Sequence, residues 1–531
     1  MGKRLSSFLT PGVLAALAAG APGGGPAGFS ADPVVTGLEY DSRRVRPGSL
    51  YFALPGLHAD GHAFIPAALA AGASVIVHQA PLPEYREGAV YIRVKDSRFA
   101  MSPVADAFYG HPSRHLAVIG VTGTEGKSTT VSLIYQLLTL SGRKTGFIST
   151  VGYSDGGEEQ GNPEHQTTPE ATGIHRLLAA MRDRGAAFAV LESSSHGLSR
   201  RTNRLGDVAF DAAVMTNVTH EHLEFHGSWE QYRRDKANLF RALDAFSHSK
   251  PAWGRERAEV PCFGVVNAGD KSAPYFAAAA SAPVFSYTTQ GGEADLSLAS
   301  IESGPRGNRC RIRTAGSGRT LDFTDRLPGA FNAGNVLAAL LAVSGILSVP
   351  VETLVPLIPR LNPVRGRMTA IDRGQPFEVL VDYAHTPSSF SAIFPPLRRR
   401  LDAAGGRIIA VFGSAGERDT AKRPEQGRIA ALWSDLVVLT DEDPRGEEPM
   451  AILEEIAAGC PGRKRGEDLF LIPHRPAAVR KAFSLARPGD LVLLLGKGHE
   501  NSIIYAEKTV AYDECAEAEG SLAEMGCGAG T

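Results

Sequence analysis

From about residue 111 onward, apolar positions fall into a recurring figure: a short unbroken apolar run, a tight polar turn, then apolar residues at helical spacing. LAVIGVTG (116–123) is the first run and reads as a strand buried on both faces. Gly123 to Gly126 form the turn, and Val131, Ile134, Leu137 and Leu138 then repeat with a helical period over Lys127–Leu140. GFIST, FAVLESS, DAAVMTN and CFGVVN are further strand candidates, and FNAGNVLAALLAVSGIL (331–347) reads as a long buried helix. From about residue 363 the figure returns with shorter loops, in EVLVDYA, RIIAVFGS, DLVVLTD, DLFLIP and DLVLLLG. Such alternation predicts doubly wound parallel sheets, whose ligands gather at the carboxyl ends of the strands. DYAHTP, GSAGERD, TDEDPRGEE and GKGHE each follow a strand directly. The first 110 residues differ, being rich in Gly, Ala and Pro, with SLYFAL and SVIVHQ as short strands. The expected organisation is α/β in three domains: a small N-terminal one (1–110), a central one (111–362) and a C-terminal Rossmann-like one (363–531).

Composition narrows the class. A chain of 531 residues is too long for one ordinary core. Its 43% hydrophobic and 21% charged residues suit a globular protein, and a net charge of −2 gives no general drive toward nucleic acid or anionic membrane. Five scattered cysteines without a CxxC argue against a disulfide framework or a zinc ribbon and suit a reducing compartment. No apolar run approaches the roughly 20 residues of a membrane helix. The opening MGKRLSSFLTPGVLAALAAGAPGG is interrupted by Pro11 and Gly12, and reads as a short amphipathic helix followed by a Gly/Pro loop rather than a signal peptide. A cytoplasmic monomer without membrane insertion is the expectation.

The strongest chemical signal is GVTGTEGKSTT (120–130), set between a buried strand and a helix. Successive backbone N–H groups and a helix N-terminus make a cradle for polyphosphate. Lys127 is placed to neutralise the β- and γ-phosphates, and the Ser128 hydroxyl to coordinate magnesium. The loop is G-x-x-G-K-S rather than the usual longer form, because Val121 stands where the first glycine of that form would fall.

That variant resembles the Mur ligase family of peptidoglycan synthesis, which shares it with folylpolyglutamate synthetases, and the resemblance runs from about residue 35 to residue 513. It implies ATP held by Gly123, Thr124, Glu125, Gly126, Lys127, Ser128 and Thr129, with Asn335 in LPGAFNAGN contacting the base. The same segment reads equally as a helix start capped by Asn332. Arg367 would reach the phosphates from the C-terminal domain, and Asp382 and His385 the ribose. Glu192, His222 and Lys236 would complete the catalytic set with Lys127 and, with Ser128, hold two magnesium ions. An unmodified lysine is wrong beside such an ion: at 4 Å and an effective dielectric of 20 the repulsion is roughly 8 kcal/mol. The family resolves this by carbamylating the lysine with carbon dioxide, and by resemblance Lys236 would be that carbamate. HEHLEFHG keeps the charge pattern of the family's Asp-His-Leu-Asp, with Glu221 and Glu224 for the aspartates.

DSRRVRPGSLYFALPG with DGHAFI, DYAHTP, GSAGERDTAKRP and GKGHE point, within the family, to the branch that adds the third amino acid to UDP-N-acetylmuramoyl-L-alanyl-D-glutamate. By position, Ser42 would contact the UDP moiety, Thr167 and Thr168 the muramoyl-peptide, and Ser194 and Arg204 the nucleotide-peptide, with Arg200 or Arg201 as alternatives to Arg204. The incoming amino acid would meet Arg418, Glu442, Asp443, Pro444, Arg445, Gly496 and Glu500. Arg418 can grip an α-carboxylate bidentately. Diaminopimelate-adding members read Asp-Asn-Pro-Arg at 442–445. Here Arg445 is kept, but Asp443 replaces the asparagine and would favour a terminal ammonium, as on lysine or ornithine. Diaminopimelate carries an ammonium too, so the choice stays open.

Overall fold

The computed structural model describes residues 2–18, 31–56, 59–162, 166–219, 223–251, 257–304, 306–316 and 318–528. Three sheets organise them. The first is four-stranded and parallel, in the order Gly37–Glu39, Ser49–Phe52, Val75–His78, Val90–Arg93. The helix Ser97–Phe108, capped by the Asp96 carboxylate, covers it together with Leu5, Phe8, Leu9 and Leu17 from the start of the chain. Pro11 opens the helix Pro11–Ala18, where a missing N–H costs nothing.

The central sheet has eleven strands, and it is mixed rather than uniformly parallel. Its parallel heart runs Thr145–Ile148, Phe188–Glu192, Ala117–Thr122, Ala212–Met215, Phe263–Asn267, Val284–Thr288. One edge continues in parallel into Leu296–Gly304, which then pairs antiparallel with Gly307–Thr314, and that strand with Thr320–Thr324. The sequence signal of this edge is alternation rather than an apolar run, and it was not among the predicted strands. Asn308, Cys310, Ile312 and Thr314 are buried while the arginines between them are exposed, so only one face is covered. Helix Asn332–Leu347 is buried nearly throughout and packs against Lys127–Leu140 on one face of the sheet. No single helix among the described residues is long and apolar enough to cross a membrane.

The C-terminal sheet runs Thr369–Ala370, Glu378–Asp382, Leu491–Leu495, Ile408–Phe412, Leu436–Leu439, Leu469–Leu471, parallel except at the first pair. Apolar clusters fill both of its faces, as the continuous apolar runs require. Polar bridges join the three units. The Arg98 guanidinium lies 2.9 Å from Glu170, Arg367 donates to Ser128 at 3.2 Å, and Ser389 donates to Glu125 at 2.8 Å.

Candidate active site

The phosphate loop leaves the strand Ala117–Thr122 and enters the helix Lys127–Leu140. Gly123 and Gly126 have φ of 152° and 81°, and both also lack room for a side chain. A Cβ on Gly123 would stand 1.9 Å from Thr216 Oγ1, and one on Gly126 2.4 Å from Asn335 Oδ1. Behind the loop, Asn217 Oδ1 accepts from the Glu125 N–H at 2.9 Å and Thr124 Oγ1 meets the Tyr232 hydroxyl at 3.0 Å. The Lys127 ammonium donates to Thr124 O at 2.6 Å, folded back over the turn.

Glu192 ends the neighbouring strand in register with Val121, which brings its carboxylate to the loop. Ser128 Oγ donates to Glu192 Oε1 at 3.0 Å, while Oε2 accepts from the Thr150 N–H at 2.8 Å. Lys236 is 2% exposed; its Nζ lies 2.5 Å from Gly123 O and 4.5 Å from the centre of the Tyr232 ring. Four of the expected groups, Lys127, Ser128, Glu192 and Lys236, thus converge on one turn. His222, with Glu221, lies outside the described residues. The hard oxygens of Ser128 and Glu192 are a donor set that suits magnesium. Among the described residues no group of three or more His, Cys, Asp or Glu side chains converges to hold a metal.

Asn335 and Asp382 are both engaged by groups of the protein itself. The Asn335 amide lies against the back of the loop, accepting from Thr130 Oγ1 at 3.3 Å and donating to Asn332 at 2.8 Å. Asn332 in turn donates to Pro328 O at 2.7 Å instead of capping its helix. Asp382 is buried, and its two oxygens accept the Met368 and Ala384 N–H groups at 2.8 and 2.7 Å. Burial pushes its carboxyl up, opposed by Arg367. The His385 ring lies tilted against Tyr383, centres 4.7 Å apart, and the Tyr383 ring also carries the Arg367 guanidinium at 4.6 Å.

Toward the N-terminal sheet, Thr168 Oγ1 donates to Glu192 O at 3.0 Å and pairs with Ser194 Oγ at 2.9 Å. Arg204 bonds Thr168 O at 2.7 Å and Glu170 at 2.9 Å, whereas Arg201 stacks on Phe225 and Arg200 is exposed. Of the three arginines, Arg204 is the one held beside Thr168 and Ser194. Thr167 is half-buried next to Thr168, and Ser42 opens a short turn fixed by Asp41.

At the far end of the C-terminal sheet, Asp443 does meet an ammonium, but it belongs to the protein. Lys497 Nζ, fully buried, lies 2.9 Å from Asp443 and 2.5 Å from Glu500. The ammonium that the sequence reading assigned to a substrate side chain is therefore supplied in part by GKGHE itself. Burial pushes the Glu500 carboxyl up, and Lys497 opposes it. Arg445 takes a φ of 55° and its N–H bonds Ile504 O at 2.9 Å. Glu442 is buried with Oε2 unpaired, and Gly496, at φ 100°, faces it closely enough that a Cβ would lie 3.2 Å from that oxygen. Pro444 is buried between them in sequence, and Arg418 is exposed on a loop pinned by the Gly416 N–H to Asp443 O at 2.8 Å. Lys497 and Tyr232 escaped the sequence reading. So did His226, whose Nδ1 lies 2.8 Å from Asp235 and Nε2 3.1 Å from Ser195. The last signal was available, since Asp235 adjoins Lys236 and His226 stands within HEHLEFHG.

Three units with a phosphate loop at the hub of the central one make an ATP-dependent amide ligase. Family models match in chain order: the Mur ligase catalytic domain over 34–109, the Mur ligase middle domain over 121–343, and the Mur ligase glutamate ligase domain over 366–498. The chain belongs to the Mur ligase family. It is 51% identical to a UDP-N-acetylmuramyl-tripeptide synthetase of Treponema denticola, across 91% of this chain and 92% of the relative. Identity is 37% to a UDP-N-acetylmuramoyl-L-alanyl-D-glutamate--2,6-diaminopimelate ligase of Geobacillus kaustophilus, covering 93% and 96%. A solved structure of a ligase of the latter name aligns with TM-score 0.59 at 26% identity, covering 93% of this chain and 96% of that one.

Proposed function

We propose that the protein adds the third amino acid to UDP-N-acetylmuramoyl-L-alanyl-D-glutamate, using ATP, in the cytoplasmic synthesis of a peptidoglycan precursor. The observation that carries this reading is the meeting of Lys127, Ser128, Glu192 and Lys236 on one glycine turn, with Arg367 arriving from the C-terminal unit. The similarity to tripeptide synthetases over nine-tenths of the chain supports the substrate.

A carboxylate is a poor electrophile, so an amide bond needs it activated first. ATP would lie along Gly123–Gly126, its phosphates facing the N-terminus of Lys127–Leu140 and the Lys127 ammonium. The D-glutamyl carboxylate attacks the γ-phosphorus in line and ADP leaves. The amine of the incoming amino acid then attacks the acyl phosphate, and phosphate departs from a tetrahedral intermediate. Arg367 moves from Ser128 to the transferred group as negative charge builds on it. Thr167 and Thr168 would hold the muramoyl-peptide, Ser194 and Arg204 the nucleotide-peptide, and Ser42 the UDP moiety; Thr168, Ser194 and Arg204 stand together for it. Magnesium, held by Ser128, Glu192, His222 and a carbamylated Lys236, would supply charge neutralisation. A carbamate nitrogen keeps one N–H, which leaves Lys236 a donor for Gly123 O.

Arg418, Glu442, Asp443, Pro444, Arg445, Gly496 and Glu500 would bind the amino acid. Diaminopimelate, lysine and ornithine, each offered with the UDP-dipeptide in a phosphate-release assay, test the reading. Phosphate appearing only when dipeptide and one of these amino acids are both present is the expected result. Release without an amino acid, or only with a folate acceptor and glutamate, would overturn it.

A further inference from the structure

Strands Leu436–Leu439 and Leu491–Leu495 are not neighbours; Ile408–Phe412 lies between them. Yet their continuations carry the two halves of the amino-acid site, Glu442 on one and Gly496 on the other. One residue ties the two ends together. Arg475, at the start of helix Arg475–Leu485, is 0% exposed and donates through Nη1 to Asp441 O at 2.9 Å and through Nη2 to Leu495 O at 2.7 Å. These are the carbonyls immediately before Glu442 and Gly496. Its Nε donates to Glu514 Oε2 at 2.7 Å, and Glu514 is also 0% exposed.

The arrangement is costly unless it serves a purpose. Two charges taken wholly out of water often stabilise a fold no better than apolar groups of the same volume. A guanidinium, however, is a rigid planar fork, and its two amino groups set a fixed spacing between the carbonyls they meet. Glu514 holds the plane of that fork and neutralises it. Its neighbour Asp513 bonds Arg365 at 2.7 Å, two residues before Arg367, so the same turn also reaches the segment joining the central and C-terminal units.

We infer that Arg475, fixed by Glu514, is a positioning residue for the incoming amino acid: it sets the separation of Glu442 and Gly496 without touching the substrate. The inference rests on the amino-acid site proposed above. Misplacement of a binding group by about 1 Å costs up to 100-fold in rate, so losing the fork is felt chiefly in the amino-acid KM.

The test uses the full chain and its Arg475→Lys and Glu514→Gln variants, with KM measured separately for amino acid, ATP and UDP-dipeptide. ADP formation from ATP and UDP-dipeptide in the absence of amino acid, at stoichiometric enzyme, is followed alongside. Arg475→Lys keeps the charge and loses the fork; it should raise the amino-acid KM about tenfold or more. The other two KM values should stay within about twofold, with the amino-acid-free ADP formation retained. Glu514→Gln should do the same to a lesser degree. An unchanged amino-acid KM, a parallel loss in every parameter, or failure of both variants to fold would overturn the inference and assign the pair to the core. If the unaltered chain accepts none of the amino acids, it is the functional reading that fails.

Discussion

The phosphate loop and the proposed amino-acid site both sit at the carboxyl ends of parallel strands, but they are built on opposite plans. At the first, the chemistry is contiguous: Gly123 to Ser128 follow one another along the chain, and the side chains around them come to a turn whose shape two glycines fix. At the second, side chains from separated segments meet, and their charges are balanced against one another: Asp443 and Glu500 against Lys497, Glu514 against Arg475. The first site tolerates almost no change of shape. The second depends on charges that only the folded chain brings together.

The comparison breaks most sharply at Lys236. Lys236→Ala removes a cationic side chain bonded to Gly123 O, and with it the carbamate that the proposed function requires. Turnover should fall at least about a thousandfold, and short carboxylic acids should restore part of it by occupying the vacated space. Full activity in a steady-state phosphate-release assay would remove Lys236 from the mechanism.

At the other site the expected loss is in stability first. Lys497→Met leaves Asp443 and Glu500 buried without their ammonium. Breaking such a pair by removing one partner costs about 3–5 kcal/mol, read as a lower urea midpoint at unchanged slope. The double variant with Asp443→Asn should recover part of that loss. An undiminished midpoint in Lys497→Met would mean that the two carboxylates are neutral or hydrated.

These contrasts explain what the sequence disclosed. The loop was legible because its chemistry is contiguous: GTEGKS states the turn, the cation and the hydroxyl in six letters. The strands were legible because each is covered on both faces and so reads as an unbroken apolar run. The hairpin edge at 296–324 was not, since its signal is alternation and short polar strands resemble loops. The Asp443–Lys497 pair spans 54 positions, so Asp443 read alone suggested a site for a substrate ammonium. Asn335 shows the same limit on a smaller scale: its place in a family motif is visible, but the Thr130 and Asn332 partners that occupy its amide are not.

A smaller effect concerns pH. Asp441, beside the amino-acid site, is pushed up to about 6, chiefly by burial, with the Tyr505 hydroxyl 3.0 Å from Oδ2 opposing. A carboxyl that is harder to ionise folded than unfolded makes the folded state bind more protons between the two values. Stability from this group therefore falls as pH rises from about 4 to about 6, by up to about 3 kcal/mol. Asp441→Asn should flatten that part of the stability profile in denaturant titrations at a series of pH values. A slope unchanged by the substitution would place the titration elsewhere.

The smallest expected effect lies between the two sites, where the C-terminal unit touches the loop. Ser389 Oγ donates to Glu125 Oε1 at 2.8 Å, across the gap between the units, and Ser389 is 5% exposed. A hydrogen bond to a charged acceptor contributes about 1.5–3 kcal/mol when dry, and less where water can replace the donor. Glu125 is only half-buried, so Ser389→Ala should cost nearer 1 kcal/mol, which is about a fivefold rise in the ATP KM. Because the contact ties the C-terminal unit to the phosphate loop, kcat and the amino-acid KM should stay within about twofold. The measurement sharpens the contrast between the sites: a change confined to ATP makes closure a property of the phosphate loop alone. An equal change in the amino-acid KM would show that closing the C-terminal unit assembles both sites at once, and that the charge-balanced site depends on the glycine turn it faces.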